Sequence, residues 1–353
     1  MSSRPITPSS ATLRLGFIAL TDAAPLIVAL ENGHFARRGL KVELRREVGW
    51  ATIRDKVLYG ELDAAHALAP LLWAAQLGLG CGPADVCTGL VLSLHGNAIT
   101  LSTRLRDAGV VDDATLHTEA LRRRGENKLT FGIVFPHSMH HLLLRQWLRG
   151  ARLDPDRDVR VAIVPPAQMF RNLSAGTLDG YCSGEPWNTL AVQQGAGWCP
   201  ARSANLSPGH VEKVLMVRSA FATRQPGEHA ALIAAIAEAA AWCDEPQNRP
   251  ALAELLSSPH YLNVPATVIT PALLGRFVSG VGPAESVPDF HIFSRGDANA
   301  PTSQRATDLQ AELVAAGLVP RALASGSLPS RLFREDLFRS AITDLHHHAP
   351  NSN

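Results

Sequence analysis

Residues 41–48 (Lys-Val-Glu-Leu-Arg-Arg-Glu-Val) set Val42, Leu44 and Val48 between charged neighbours, the two-residue period of a half-buried strand. Past them Ile53, Val57 and Leu58 fall at helical spacing, and Gly60 is placed to stop the helix. The same alternation of elements fills the first third of the chain. Strands are expected over 13–20, 41–48, 62–67 and 97–103, and helices over 24–32, 52–59 and 70–76. A charged stretch, 104–128, carries Leu116, Ala120 and Leu121 on one face of a short amphipathic helix. A second series then begins, with strands over 129–135, 159–164 and 179–183 and helices over 138–148, 168–175 and 188–194. A strand over 213–222 and an Ala-rich helix over 228–243 follow. Beyond 257–297, a Pro-, Ser- and Gly-rich connection, helices are expected over 303–316 and 334–346.

Helical crossovers between strands imply sheets that are mainly parallel. The second series repeats a phrase of the first: Gly60-Glu61-Leu62-Asp63-Ala64 against Gly176-Thr177-Leu178-Asp179-Gly180. The expected architecture is α/β with two lobes, each a mainly parallel sheet flanked by helices. Residues 1–103 and 214–353 form one lobe, 104–213 the other, with a ligand cleft between them.

Charge and composition narrow the function. Lys and Arg number 33 against 32 Asp and Glu, and no basic block marks a nucleic-acid or membrane surface. The five cysteines have no CxxC pair or His at zinc spacing, and read as free thiols of a reducing compartment. The apolar run 13–20 is short and interrupted by Arg14, so it reads as a strand and not as an export leader. No run is long enough to span a membrane. The expected location is cytoplasmic.

Trp50 stands where a strand gives way to a helix, the position at which α/β folds hold small anions, although a core plug is the plainer reading of a lone Trp. His140 lies near His137 and His141, a set that suits a solvated cluster or a pair of metal ligands, with no carboxylate or Cys at ligand spacing. Lys213 follows Glu212, as in an ordinary strand-edge pair. Glu185 before Pro186 is a candidate general base, but no Ser/His/Asp order, phosphate loop or nucleotide fingerprint accompanies it. Neither catalysis, a metal nor a cofactor is expected.

The phrases LGFIALTDAAPLIVALENGHF, GWATIRDKVLYGELDAAHALAP, HGNAITLS, VPPAQM, GYCSGEPWN and HVEKVLMVR together resemble the nitrate/bicarbonate-binding protein family. The likeness covers roughly 13–295. It implies a type II periplasmic-binding-protein-like fold and a nitrate or nitrite site. By resemblance, Trp50 lines the anion pocket and His95-Gly96 supply a donor and close-approaching backbone. His140 is a pocket residue, Pro166 a wall, Gly184 and Glu185 the base of the second lobe, and Lys213 the anion's counter-charge. Glu185 is expected to accept a hydrogen bond from Lys213 or from a backbone N–H. The family further implies a cytoplasmic nitrate/nitrite sensor of nitrate assimilation. Such a sensor holds an ANTAR-domain RNA-binding antiterminator until the anion arrives, without touching nucleic acid itself. The alternative is the solute-binding subunit of a nitrate or bicarbonate ABC importer.

Overall fold

The computed structural model describes residues 11–123 and 125–347. Among the described residues thirteen strands lie in chain order: β1 (Leu13–Ile18), β2 (Val42–Glu47), β3 (Ala64–Leu68), β4 (Val86–His95), β5 (Asn97–Ser102), β6 (Thr130–Ile133), β7 (Arg160–Ile163), β8 (Gly180–Gly184), β9 (Gly197–Arg202), β10 (Val211–Arg218), β11 (Arg276–Phe277), β12 (Glu285–Ser286) and β13 (His291–Ile292). One sheet has the order β13-β4-β10-β3-β1-β2 and the other β7-β6-β8-β5-β9. β1 runs parallel to β2 and β3, and β6 to β7 and β8. The strands that carry the chain between the sheets, β4, β5, β9 and β10, pair antiparallel.

The alternation at 41–48 falls on β2, an edge strand in which Val42 and Leu44 are half-buried, whereas Val48, past its end, is exposed. β3, β4 and β10 lie inside the first sheet and are buried almost throughout, so their sequences show no polar alternation, and the few polar side chains they carry, His66, Glu212 and Lys213 among them, are buried with them. β4 was not expected from the sequence, because Val86–His95 has no period to mark it. Helices Ala24–Glu31 and Pro226–Asp244 pack against each other over the first sheet, and the many alanines of the second let the backbones approach. The 257–297 stretch holds a helix, Ala266–Leu273, and the β11–β12 hairpin. Ala272, Phe277, Val287 and Phe290 pack there with Ala98 and Cys199 of the second sheet.

The repeated phrase has a structural meaning. Gly60 and Gly176 both take positive φ (79° and 80°) after a helix. The aspartate three residues on then pins the next strand to its neighbour. Asp63 Oδ2 accepts the Arg14 N–H at 2.8 Å, and Asp179 Oδ2 accepts the Thr130 N–H at 2.9 Å. The same device starts the corresponding strand in each sheet.

The chain crosses between the sheets at Gly96 and again through 203–210. Asn97–Ser102, placed with the first lobe by the sequence division at 103, pairs within the second sheet; Lys213, placed in the second, sits in the first. Gly96 has φ +90°, and a Cβ there would lie 2.5 Å from the His291 ring. Only glycine fits this crossing. The two crossings are joined through His95, whose ring nitrogens meet Asp289 O at 2.7 Å and the Gly209 N–H at 2.6 Å. The second contact makes Nε2 an acceptor and leaves Nδ1 as the donor.

Candidate functional site

Where the sheets meet, a group of charged and imidazole side chains is sealed from solvent. Asp22 lies in the turn after β1, just before helix Ala24–Glu31. Its Oδ1 accepts from His66 Nε2 on β3 at 2.8 Å, and its Oδ2 from Lys213 Nζ on β10 at 2.7 Å. Glu212 Oε1 accepts from the same ammonium at 2.7 Å. Residues 212 and 213 are neighbours on a strand and would ordinarily face opposite ways. The pairing of β10 with β4 shifts register on both sides of Lys213, and this irregularity accompanies the turning of both side chains toward one place. Glu212 Oε2 also accepts from Asn97 Nδ2 at the start of β5 and lies 3.3 Å from His210 Nε2. His140 Nδ1 lies 3.7 Å from Glu212 Oε1. The first sheet's carboxylate is therefore shared with residues of the second lobe.

Electrostatics follow from this packing. Burial opposes ionisation of Asp22, but Lys213 and His66 outweigh it and hold the carboxyl well below its ordinary range. Glu212, against the same burial, is drawn down to about 2 by Lys213, His140 and His210. Burial alone would lower Lys213; the two carboxylates reverse the sign and raise it. Burial pushes His140 down to about 4 and His291 to about 3, with Glu212 and Asp22 respectively offsetting only part of the effect.

Trp50 begins helix Trp50–Leu58 and is 1% exposed. Its ring centroid lies 5.4 Å from Lys213 Nζ and 5.4 Å from the His66 ring. Beyond it opens a largely apolar groove of about 420 Å³ between the lobes, lined by Trp50, Arg54, Phe135, His137, Ile163 and Pro165 among others. A smaller groove of about 130 Å³ reaches His210 from another direction, past Met139, Arg305 and Glu312.

The feature that separates this cluster from an ordinary buried ion pair is unused hydrogen-bonding capacity. Among the described residues, Trp50 Nε1, His66 Nδ1, Thr21 Oγ1, Asn97 Oδ1 and both ring nitrogens of His140 and of His291 are buried without a partner. Lys213 has three N–H donors, of which the two carboxylates take two. A small polar guest placed there finds an ammonium N–H, an indole N–H, a hydroxyl and an imidazole. The buried thiols Cys182 and Cys199 are pushed upward by desolvation, away from thiolate chemistry.

Of the residues picked out from the sequence, Trp50, His140 and Lys213 converge on this cluster. Gly184 borders it: a Cβ there would lie 3.3 Å from Asn97 Oδ1 and 3.8 Å from Asp22 Oδ2. Gly96 forms the crossing beside His291, and its carbonyl accepts the Glu185 N–H at 3.2 Å. Three expectations change. His95 is no anion donor, since both ring nitrogens are spent joining the two crossings. Of the two partners expected for Glu185, the backbone N–H is present and Lys213 is not: its carboxylate accepts the Thr189 N–H at the start of helix Trp187–Gln193, and burial lifts it to about 7. Its main-chain carbonyl instead clasps the lobes by accepting the Thr21 N–H at 2.8 Å. Pro166 is buried in the turn before helix Met169–Ala175; Pro165, one residue earlier, lines the groove with Trp50. The pair Glu212–Lys213 is fully buried and not at a strand edge. Asp22, His66, His210, Glu212 and His291 were not picked out as site residues from the sequence. The available signal was polarity out of place, as with His66 inside Ala-Ala-His-Ala-Leu.

Comparison with known proteins gives this arrangement its relatives. The NMT1-like family matches residues 7–257. The chain is 31% identical over 348 residues to the nitrate/nitrite binding protein NrtA of Synechocystis sp., covering 96% of this chain and 77% of that protein. It is 37% identical over 336 residues to the nitrate import ATP-binding protein NrtC of the same organism, covering 94% of this chain but only 50% of that one. The chain thus spans about half of that longer protein. The crystal structure of periplasmic nitrate-binding NrtA from Synechocystis superposes with a TM-score of 0.90 at 29% identity, over 95% of this chain and 89% of that one. The alkanesulfonate-binding protein SsuA of Xanthomonas axonopodis, at 16% identity and TM-score 0.67 over 95% and 99%, shares the fold. The chain belongs to the NMT1-like family and has a periplasmic-binding-protein fold.

Proposed function

We propose that this protein binds a small monovalent oxyanion, nitrate or nitrite, at Lys213 between the two lobes, and that it binds without catalysing a reaction. The observation that carries this reading is the fully buried Lys213, with one N–H to spare, beside the unpartnered indole of Trp50 and imidazole of His140. Nitrate is planar and poorly hydrated, and one ammonium, two ring N–H donors and an aromatic wall suit it. Charge-assisted hydrogen bonds contribute about 1.5–3 kcal/mol each. Three of them, less ordering costs, approach the roughly 8 kcal/mol of a micromolar complex. The names of the NrtA relatives agree with this ligand. Titrating the purified protein with sodium nitrate in a calorimeter, with sodium chloride and sulfate as controls, tests it. Saturable heat with nitrate alone is expected; equal response to chloride would reject the assignment.

The reading extends to regulation. A cytoplasmic sensor of nitrate assimilation releases an ANTAR-domain antiterminator when the anion draws the lobes together. The five cysteines, free and mostly buried, suit a reducing compartment. Nitrate and partner must then weaken each other by the same factor. Mixing the two proteins and following the complex by size-exclusion chromatography should show dissociation with nitrate and none with chloride. The relatives named for nitrate import favour the second reading, an importer's solute-binding subunit, and a complex indifferent to nitrate supports it.

A further inference from the structure

The chemistry of the anion site goes one step further, on the basis of the anion-binding reading above. Leaving the histidines aside, the sealed cluster holds two carboxylates, Asp22 and Glu212, and one ammonium, Lys213. A monovalent anion entering it brings a third negative charge against one positive charge, in a place with no water to screen it. Buried charge without compensation is strongly unfavourable, and the nearest titratable group changes protonation instead.

We propose that the site takes its anion together with one proton, and that His140 holds that proton. The geometry selects this residue. His140 lies in the first turn of helix Met139–Gly150 in the second lobe, is fully buried, and has no hydrogen-bond partner on either nitrogen among the described residues. One nitrogen, Nδ1, lies 3.7 Å from Glu212 Oε1. An imidazole with a carboxylate at one nitrogen and an incoming anion at the other has two acceptors and, when neutral, a single N–H. Only the imidazolium gives each acceptor a donor. The charged groups acting on His140 are Glu212 and Asp22, which favour its protonation, and Lys213 and His210, which oppose it. The bound anion adds to the first pair. His210 Nδ1 meets Ser207 O at 2.8 Å, and its Nε2, although without a hydrogen bond, already lies 3.3 Å from Glu212 Oε2, closer than His140 does. His66 donates Nε2–H to Asp22 and shares its other surroundings with Trp50. The balance is simple: solvent supplies one H⁺, His140 becomes an imidazolium, and no other bond forms or breaks.

The sign follows from linkage. Burial keeps His140 neutral at pH 7 before the anion arrives, and the anion raises its proton affinity. Binding is then favoured at low pH, and affinity falls by about tenfold per pH unit wherever His140 is neutral free and charged bound. Nitrate itself stays an anion throughout this range.

The experiment is nitrate calorimetry on the full chain at pH 7 in two buffers of different ionisation enthalpy, repeated from pH 6 to 8. The expected result is uptake of close to one proton per nitrate and a dissociation constant that climbs with pH. Nitrate binding with no proton exchange overturns the proposal while sparing the anion site; no nitrate binding at all overturns both. His140→Gln keeps an N–H donor group, its side-chain amide, but cannot take the proton. It should bind more weakly with a flat pH profile, and retained uptake would move the proton elsewhere and sink the assignment. A nitrogen-15 spectrum of the wild-type histidines covers a variant that fails to fold. At pH 7 nitrate should convert the His140 ring from neutral to imidazolium, and a ring that stays neutral rejects the proposal.

Discussion

Two charge clusters in this molecule, one sealed around Lys213 and one partly open around Asp244, differ in how fully their groups are paired. Around Asp244, every main group is answered. Its Oδ2 accepts the N–H groups of Phe293, Ser294 and Arg295, while Oδ1 accepts from Arg249 at 2.8 Å and Arg295 at 3.3 Å. The Arg249 guanidinium also donates to the carbonyls of Leu273 and His291. Around Lys213 the ion pairs are equally short, yet indole, hydroxyl and imidazole atoms beside them are unanswered among the described residues. Buried charge alone does not mark a binding site. Buried charge beside idle donors does, because folding alone gives no return on leaving them idle.

Substitution at the two clusters tests that distinction. The largest effect is expected for Lys213→Met. It strands Asp22 and Glu212 together, so stability should drop by about 3–5 kcal/mol and nitrate heat should vanish. Lys213→Glu would add a third carboxylate beside Asp22 and Glu212 and endanger the fold. Arg249→Met should cost a similar amount, about 3–5 kcal/mol in urea unfolding, but leave nitrate affinity within about twofold in the protein that remains folded. If Arg249→Met weakens nitrate as Lys213→Met does, the two clusters are not distinct.

Acid exposes the clusters in sequence. His140 and His291 stay neutral in the fold down to about 4 and 3, whereas the unfolded chain takes protons near 6.5. Stability should therefore fall as pH drops below about 6.5, by roughly 1.4 kcal/mol per pH unit for each such histidine. Glu212, depressed from its ordinary 4.5 to about 2, adds a second loss through that lower window. Urea midpoints at pH 5 and 6.5 should differ less in His140→Gln than in the wild type. An equal difference would show that His140 is not held neutral. The smallest effect is expected from Trp50→Phe, which keeps the aromatic wall and removes the indole N–H. Nitrate affinity should fall about fivefold to tenfold, about 1 kcal/mol, with a stability change below about 1.5 kcal/mol. Unchanged affinity with a large loss of stability would return Trp50 to the role of core plug.

How much of this was legible beforehand depended on whether the signal was local. The period of 41–48 and the Gly-x-Leu-Asp phrase are local, and both correspond to strands and caps in the structure. β4 was invisible because a strand buried on both faces has no polar phase to betray it. Trp50 was marked by its place between strand and helix and confirmed as a candidate by resemblance, Lys213 by resemblance alone, and Asp22 by neither, since its partner lies 191 residues away. His95 shows the opposite error. A histidine at a crossing offered donors on paper, but its ring was already committed to Asp289 and Gly209.

The position of β10 has a consequence for the order in which the chain is made. This strand lies between β3 and β4, which precede the whole second sheet in sequence. A chain emerging from the ribosome completes β3 and β4 early but cannot join them until the second lobe has been synthesised and has returned through 203–210. Until then, both strands present unpaired backbone edges, and Asp22 and His66 await the cation that will neutralise them. The first lobe cannot mature as an N-terminal unit. Its central strand arrives only after the second lobe, bringing with it the lysine that pairs with Asp22.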